Sequence, residues 1–201
     1  MAELRSVCVF CGSAKGNNPA YVEAGRALGV ALAREKIRLV YGGGGIGMMG
    51  EVARGVESAG GKVLGIIPEF LVVREHAEQG GREILTVRDM HQRKRTMFEQ
   101  ADAFVALPGG IGTLEELVEQ LAWLQLGRHK KPVLLANVLG FWDPLLALFR
   151  HLGNEGYLYN GPHYLVAERI ADVIPKLRAA IGSVSDTELH GRAAKAVVEE
   201  M

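Results

Sequence analysis

Short, almost wholly apolar runs alternate with helix-length amphipathic stretches from residue 6 to about residue 180, and few folds accept that alternation. SVCVF (6–10), RLVYGG (38–43), KVLGIIP (62–68), EILTV (83–87), AFVALPGG (103–110), KPVLLAN (131–137) and HYLVA (163–167) read as strands, EILTV the weakest of the early ones. Helical segments are expected over 19–36, 48–60, 89–101, 113–126, 141–156 and about 168–180. The first has Pro19 in its opening turn and Val22, Leu28 and Leu32 along one side. Strands without polar alternation are buried on both faces, and strand–helix alternation makes the sheet parallel. The expected fold is therefore α/β: a doubly wound, mainly parallel sheet with helices on both faces, Rossmann-like, in a single domain over residues 1–180. Ligands of such sheets sit outside the carboxyl ends of the strands. The polar segment 69–82 reads as a loop. Residues 181–201 read as a tail, either frayed or a short helix through Ala194, Val197, Val198 and Met201.

With 201 residues, 48% of them apolar and 23% charged, the chain can bury one sizeable core. A formal net charge of zero speaks against a nucleic-acid binder and leaves room for a small anionic ligand. No apolar run approaches the ~20 residues that span a bilayer, so no membrane association is expected. Cys8 and Cys11 have C-x-x-C spacing, but they lie in an apolar strand with no second Cys/His cluster. Buried free thiols, and no metal site, are expected. The opening MAELRSVCVF lacks the features of a signal peptide, which points to the reducing cytoplasm.

Two glycine-rich turns stand at strand ends. YGGGGIGMMG fits G-x-G-x-x-G in two registers, Gly42/Gly44/Gly47 and Gly45/Gly47/Gly50, and LPGGIGT presents Gly109, Gly110 and Gly112 before Thr113. Glycines at a strand-to-helix turn let backbone N–H groups approach an anion, and the helix terminus adds positive potential. Together the loops suggest a nucleotide-sized ligand carrying a phosphate. A dinucleotide reading is also open, with Glu69 at about the right distance for a ribose contact, although the loop follows the second strand and not the first.

Some charged residues sit where apolar ones belong. In the helix beginning at Asp89, Arg93 and Lys94 fall inside the stripe formed by Met90, Met97 and Ala101. A cation facing the sheet must be paired or face a cavity, unless its stem carries it out to solvent. Asp89 and Gln92 have the spacing of an N-cap and its partner. In the next helix Glu115 and Glu116 flank the stripe Leu114, Leu117, Val118, Leu121 and Leu124 on opposite sides, so periodicity does not choose between them. Thr113-x-x-Glu116 has capping-box spacing, which offers Glu116 a structural role.

YGGGGIGMMG, DMHQRKRTM, LPGGIGTLEE and the opening CVFCGSAKGNNPAY, in order over roughly residues 5–180, resemble the motifs of the LONELY GUY (LOG) family. That family's pattern is P-G-G-x-G-T-x-x-E with an upstream D-M-H-x-R-K helix. The resemblance implies a phosphoribohydrolase that cleaves the N-glycosidic bond of N6-substituted adenosine 5′-monophosphates, and in some members AMP, to free base and ribose 5-phosphate. It implies Arg93 and Glu116 as the catalytic pair. Gly109, Gly110, Gly112 and Thr113 would hold the 5′-phosphate. Gly43, Gly44, Gly45, Gly12, Ser13, Glu75, Met90 and Lys94 would line the rest of the site. No cofactor and no metal are implied, and the family's quaternary state implies a homodimer or higher oligomer. Trp123, Leu126 and the tail helix are interface candidates, with Trp123 equally suited to the core. An older label for the family, lysine decarboxylase, does not suit a chain with no evident lysine for pyridoxal phosphate. The competing readings are a non-catalytic carrier, such as the molybdenum-cofactor carriers with their similar P-G-G-x-G-T loop, an AMP sensor, and an NAD-dependent oxidoreductase.

Overall fold

A computed structural model describes residues 2–75, 82–158, 163–185 and 187–189. Seven strands form one wholly parallel sheet: β1 (Ser6–Phe10), β2 (Arg38–Tyr41), β3 (Val63–Pro68), β4 (Glu83–Val87), β5 (Ala103–Ala106), β6 (Val133–Ala136) and β7 (Leu165–Ala167). Their order is β4-β3-β2-β1-β5-β6-β7. The chain builds outward from β1 in one direction, then returns beside β1 and builds the other way. The reversal lies between β1 and β5, where the loops leave for opposite faces and open a crevice.

Alternate residues of each strand feed two cores. Val7, Val9, Leu39, Tyr41, Val105 and Leu134 meet α1 (Pro19–Arg34), α2 (Gly47–Ser58) and α6 (Val173–Ile181). Cys8, Phe10, Val40, Ile66, Phe104 and Leu135 meet α3 (Met90–Glu99), α4 (Ile111–Gln125) and α5 (Asp143–Asn154). Double-sided burial is what the uninterrupted apolar strands required. Cys8 and Cys11 are free and buried, as expected, and burial raises both thiol pKa values. The Asp89 carboxylate accepts from Gln92 N at 2.8 Å and caps α3, while Gln92 Oε1 accepts from Arg88 N, so this cap forms as its spacing predicts.

Several boundaries differ from the sequence reading. The strands after Tyr41 and Ala106 stop short of their glycines, which belong to the turns. A short 3₁₀ turn, Glu69–Leu71, begins the expected loop, and residues 76–81 fall outside the described range. The largest difference is in α4. It begins at Ile111 with Gly110 as N-cap, so Thr113 is already its third residue and cannot be the cap of a box with Glu116. Its buried face is Thr113, Glu116, Leu117 and Gln120, while Val118 is largely exposed. Apolar content alone placed that face too far around the helix.

Beyond α6, Ala2 N donates to Val184 O, Leu189 is buried in the first core, and Glu188 pairs with Lys130 at 2.5 Å. The tail positions 194, 197, 198 and 201 lie outside the described residues. No helix among the described residues is long and apolar enough to cross a membrane.

Candidate active site

The loops after β1, β2 and β5 meet at the reversal point. Gly12 N donates to Pro108 O at 3.2 Å, tying the β1 loop to the β5 loop. Gly12 O accepts from Met48 N and Met49 N, and Ala14 O also accepts from Met48 N. Two first-turn N–H groups of α2, Met48 and Met49, are therefore already occupied by carbonyls. Ile46, the N-cap of α2, supplies no side-chain bond, and neither does Gly110 at α4. For α4 no such carbonyl covers the opening turn among the described residues, and the space a side chain at Gly110 or Gly112 would enter is open. Of the two glycine loops, PGGIGT is the one whose helix opening turn is left free of carbonyls among the described residues and so can offer its donors to an anion. Thr113 is buried behind it, and a Cβ on Gly109 would fall 2.1 Å from Thr113 Oγ1.

The YGGGGIG turn does different work. A Cβ on Gly42 would lie 1.8 Å from Arg93 Nη2, so the glycine exists to let a guanidinium lie against the backbone. At Gly44 a Cβ would stand 2.9 Å from Glu75 Oε2. Gly45 N donates to Glu75 O at 2.7 Å, and Gly43 packs on Ile66 and Ile67 of β3. The turn is held from outside by Arg54, whose Nη1 donates to Gly45 O and whose Nη2 meets Glu51. Glu51 also takes Arg26 and Lys15, and these cations hold its carboxyl down to about 2 despite the opposing effect of burial. Sequence reasoning missed this brace. Its signal is an acid one helical turn from Met48 on the otherwise apolar face of α2.

Arg93 and Glu116 are both buried, at 6% and 8% exposure, and approach the crevice from α3 and α4. The Arg93 guanidinium donates to Met90 Sδ at 3.7 Å, and its Nε is buried without a partner. Among the described residues no hydrogen bond or ion pair within 4 Å engages the Glu116 carboxylate. Burial raises its pKa to about 7, Arg93 opposes the rise, and Glu115 and Glu119 add to it. Glu75 Oε2 is likewise buried and unpartnered, and burial raises its carboxyl while Arg93 pulls it back. Two unpaired buried oxygen and nitrogen groups at one crevice mark a place built for a polar ligand.

Glu115 behaves differently from its neighbour. Its side chain is 51% exposed and meets Lys94, which also reaches Glu119 at 2.9 Å. Lys94 thus braces α3 against α4, and its charge also acts to lower the pKa of Glu116. Ser13 is exposed, with its carbonyl against Gly47. Glu69 is exposed in the turn after β3, and two first-turn donors of the α2 terminus it would accompany are taken by carbonyls, which speaks against the dinucleotide reading. Trp123 is partly buried against the second core, edge-on to Phe98, with Arg128 above it. Leu126 is exposed.

The family described as "possible lysine decarboxylase" matches residues 49–177 of this chain. A curated relative, the cytokinin riboside 5′-monophosphate phosphoribohydrolase LOG7 of Arabidopsis thaliana, is 49% identical over 157 residues, covering 78% of this chain and 72% of the relative. The probable enzyme of the same name LOGL2, from Oryza sativa subsp. japonica, is 47% identical over 165 residues, covering 82% and 68%. Among solved structures, the molybdenum cofactor binding protein of Rippkaea orientalis superposes with a TM-score of 0.68 at 21% identity, covering 90% of this chain and 99% of that one. The Moco carrier protein of Chlamydomonas reinhardtii does so at 0.67 and 19%, covering 90% and 100%. At that identity the two carriers share the fold and nothing more is implied.

Proposed function

This chain belongs to the LOG family, whose curated members are named cytokinin riboside 5′-monophosphate phosphoribohydrolases, and we propose that it hydrolyses the N-glycosidic bond of N6-substituted adenosine 5′-monophosphates, with AMP as a further substrate. The products are the free base and ribose 5-phosphate. The observation that carries this reading is the meeting of two buried charged side chains, Arg93 with its unpartnered Nε and Glu116, beside the open first turn of α4.

The 5′-phosphate binds the first turn of α4 through the N–H groups around Gly110 and Gly112, with Gly109 and Thr113 shaping the turn. Ribose then lies over the crevice toward the Gly43–Gly45 turn, Gly12, Glu75 and Met90. Breaking the C1′–N9 bond sends its electron pair to the base and leaves an oxocarbenium-like sugar. A carboxylate stabilises such a cation and takes a proton from the attacking water. Glu116, with a pKa of about 7, is poised between its two protonation states at neutral pH, as a general base should be. The base receives a proton at the departing nitrogen side, so one water is consumed and no net proton is released. Arg93 stays charged and barely donates a proton, so it acts by electrostatics on the leaving base or on the phosphate and Glu116.

We assign the assembly as a homodimer, on the exposed apolar side chains Ile111, Val118 and Leu126 along α4, and the compartment as the cytoplasm, on the two free thiols. Incubation with isopentenyladenosine 5′-monophosphate and with AMP, followed by chromatography, tests the activity. Free base is expected from the wild type and none from Arg93→Ala or Glu116→Ala with the fold intact. Absence of base from both nucleotides with wild type turns the assignment toward a carrier or sensor.

A further inference from the structure

Behind the crevice, the turn from α4 into β6 carries two polar side chains with no part in the chemistry above, His129 and Lys131, both buried at 3% exposure or less. Lys131 Nζ donates to Phe98 O at 2.6 Å and lies 4.1 Å over the Phe98 ring. Phe98 is in the last turn of α3, so the ammonium sits at the negative end of that helix. His129 Nε2–H donates to Gln120 O in α4 at 3.2 Å, and its Nδ1 accepts from Lys131 N at 3.1 Å. Those two bonds select the neutral Nε2–H tautomer. Its ring stands edge-on to Phe98 at 5.3 Å. One turn thus grips both helices at once.

The gripped points are near the reacting side chains in sequence and on the same helices. Phe98 follows Arg93 by about 7.5 Å along α3, and Gln120 follows Glu116 by about 6 Å along α4, at 1.5 Å per residue. Lys94, one turn before Phe98 on α3, ties that helix to Glu115 and Glu119. The helices that carry Arg93 and Glu116 are thus joined at two successive levels. A buried ammonium is an expensive way to fill space, and an apolar side chain of the same volume serves packing better. Burial lowers Lys131 to about 8 and His129 to about 4, so at neutral pH the first remains mostly charged and the second neutral.

We propose that His129 and Lys131 are positioning residues for Arg93 and Glu116: their turn clamps the end of α3 to the third turn of α4 and so sets the separation of the two groups across the crevice. This rests on reading Arg93 and Glu116 as the reacting pair. The separation is reported by Glu116 itself, whose proton is held against Arg93 and Lys94 of α3, Glu115 and Glu119 of α4, and the thiols of Cys8 in β1 and Cys11 just beyond it.

The test compares Lys131→Met, His129→Phe and His129→Gln with wild type in two readouts. One is base release from AMP and isopentenyladenosine 5′-monophosphate, and the other is the titration midpoint of the Glu116 carboxyl carbon by NMR. Lys131→Met and His129→Phe are expected to remain folded with KM within about twofold, to lose tenfold or more in kcat, and to move the Glu116 midpoint by half a pH unit or more. His129→Gln, which can still donate to Gln120 O, is expected to recover most of the kcat. A lower melting temperature with kcat within twofold and an unmoved midpoint overturns the proposal, as does a loss confined to KM. If Lys131→Met does not fold, the two His129 variants decide by the same criteria. A wild type that releases no base defeats the activity assignment instead, and the Glu116 midpoint still judges the clamp.

Discussion

Glu116→Gln should make the protein more stable and inactive, and the gain should depend on pH. The Glu116 carboxyl has a pKa of about 7 in place of 4.5, with burial as the largest cause. At about 1.4 kcal/mol for each pH unit, the native state carries a penalty of about 3 kcal/mol for the charged form. Between pH 4.5 and 7 the unfolded chain has released this proton while the native chain keeps it. The unfolded state then binds fewer protons, so wild-type stability falls as pH rises through that window. Below 4.5 both states are protonated and the penalty vanishes; above 7 it is present in full. Glutamine has nearly the same shape and does not titrate. The stability of Glu116→Gln relative to wild type should therefore climb from pH 4.5 to 7 and level off about 3 kcal/mol higher. For a chain of this length that is a difference of roughly 6–12 °C in melting temperature. Urea melts of both proteins at half-unit intervals from pH 4.5 to 8 measure it. A stability difference that stays flat with pH, or falls as pH rises, refutes the reasoning, the latter because it would mean that Arg93 outweighs burial.

Gly42→Ala places a Cβ on the Arg93 guanidinium and should abolish base release while lowering stability by about 1–3 kcal/mol, read by activity and denaturant melts together. Lys94→Met removes the brace between α3 and α4; it should lower stability by about 1 kcal/mol and leave the KM for AMP within a few-fold, whereas a tenfold rise in KM would make Lys94 a ligand. Cys8 and Cys11 should resist a thiol reagent at pH 8 in the native state and react fully in denaturant, since burial both shields them and raises their pKa values; rapid native labelling contradicts their placement.

Strand content, helix content and the parallel, double-sided sheet are legible along the chain because they depend on short-range patterns. An apolar run such as AFVALP or VLLAN states by itself that both its faces are covered. The misplacement of Arg93 is legible for the same reason, since a charge inside an apolar stripe shows at helical spacing. Glu115 and Glu116 are adjacent and equally placed in that pattern. Their separate fates come from the phase of α4, which is set by its start at Gly110 and by packing of Thr113, Leu117 and Gln120 on the sheet. Likewise YGGGGIG and PGGIGT look alike as sequences. Only in three dimensions do the Gly12 and Ala14 carbonyls take the Met48 and Met49 donors of the first helix terminus and leave the second uncovered, while Gly42 yields its space to Arg93. His129 and Lys131 show no periodic signal, because a turn between a helix and a strand has none. Local periodicity thus determined the layers and the odd charge within them. Which glutamate faces the crevice, which loop can take an anion and what braces the pair were decided by contacts between residues tens of positions apart, which no local pattern records.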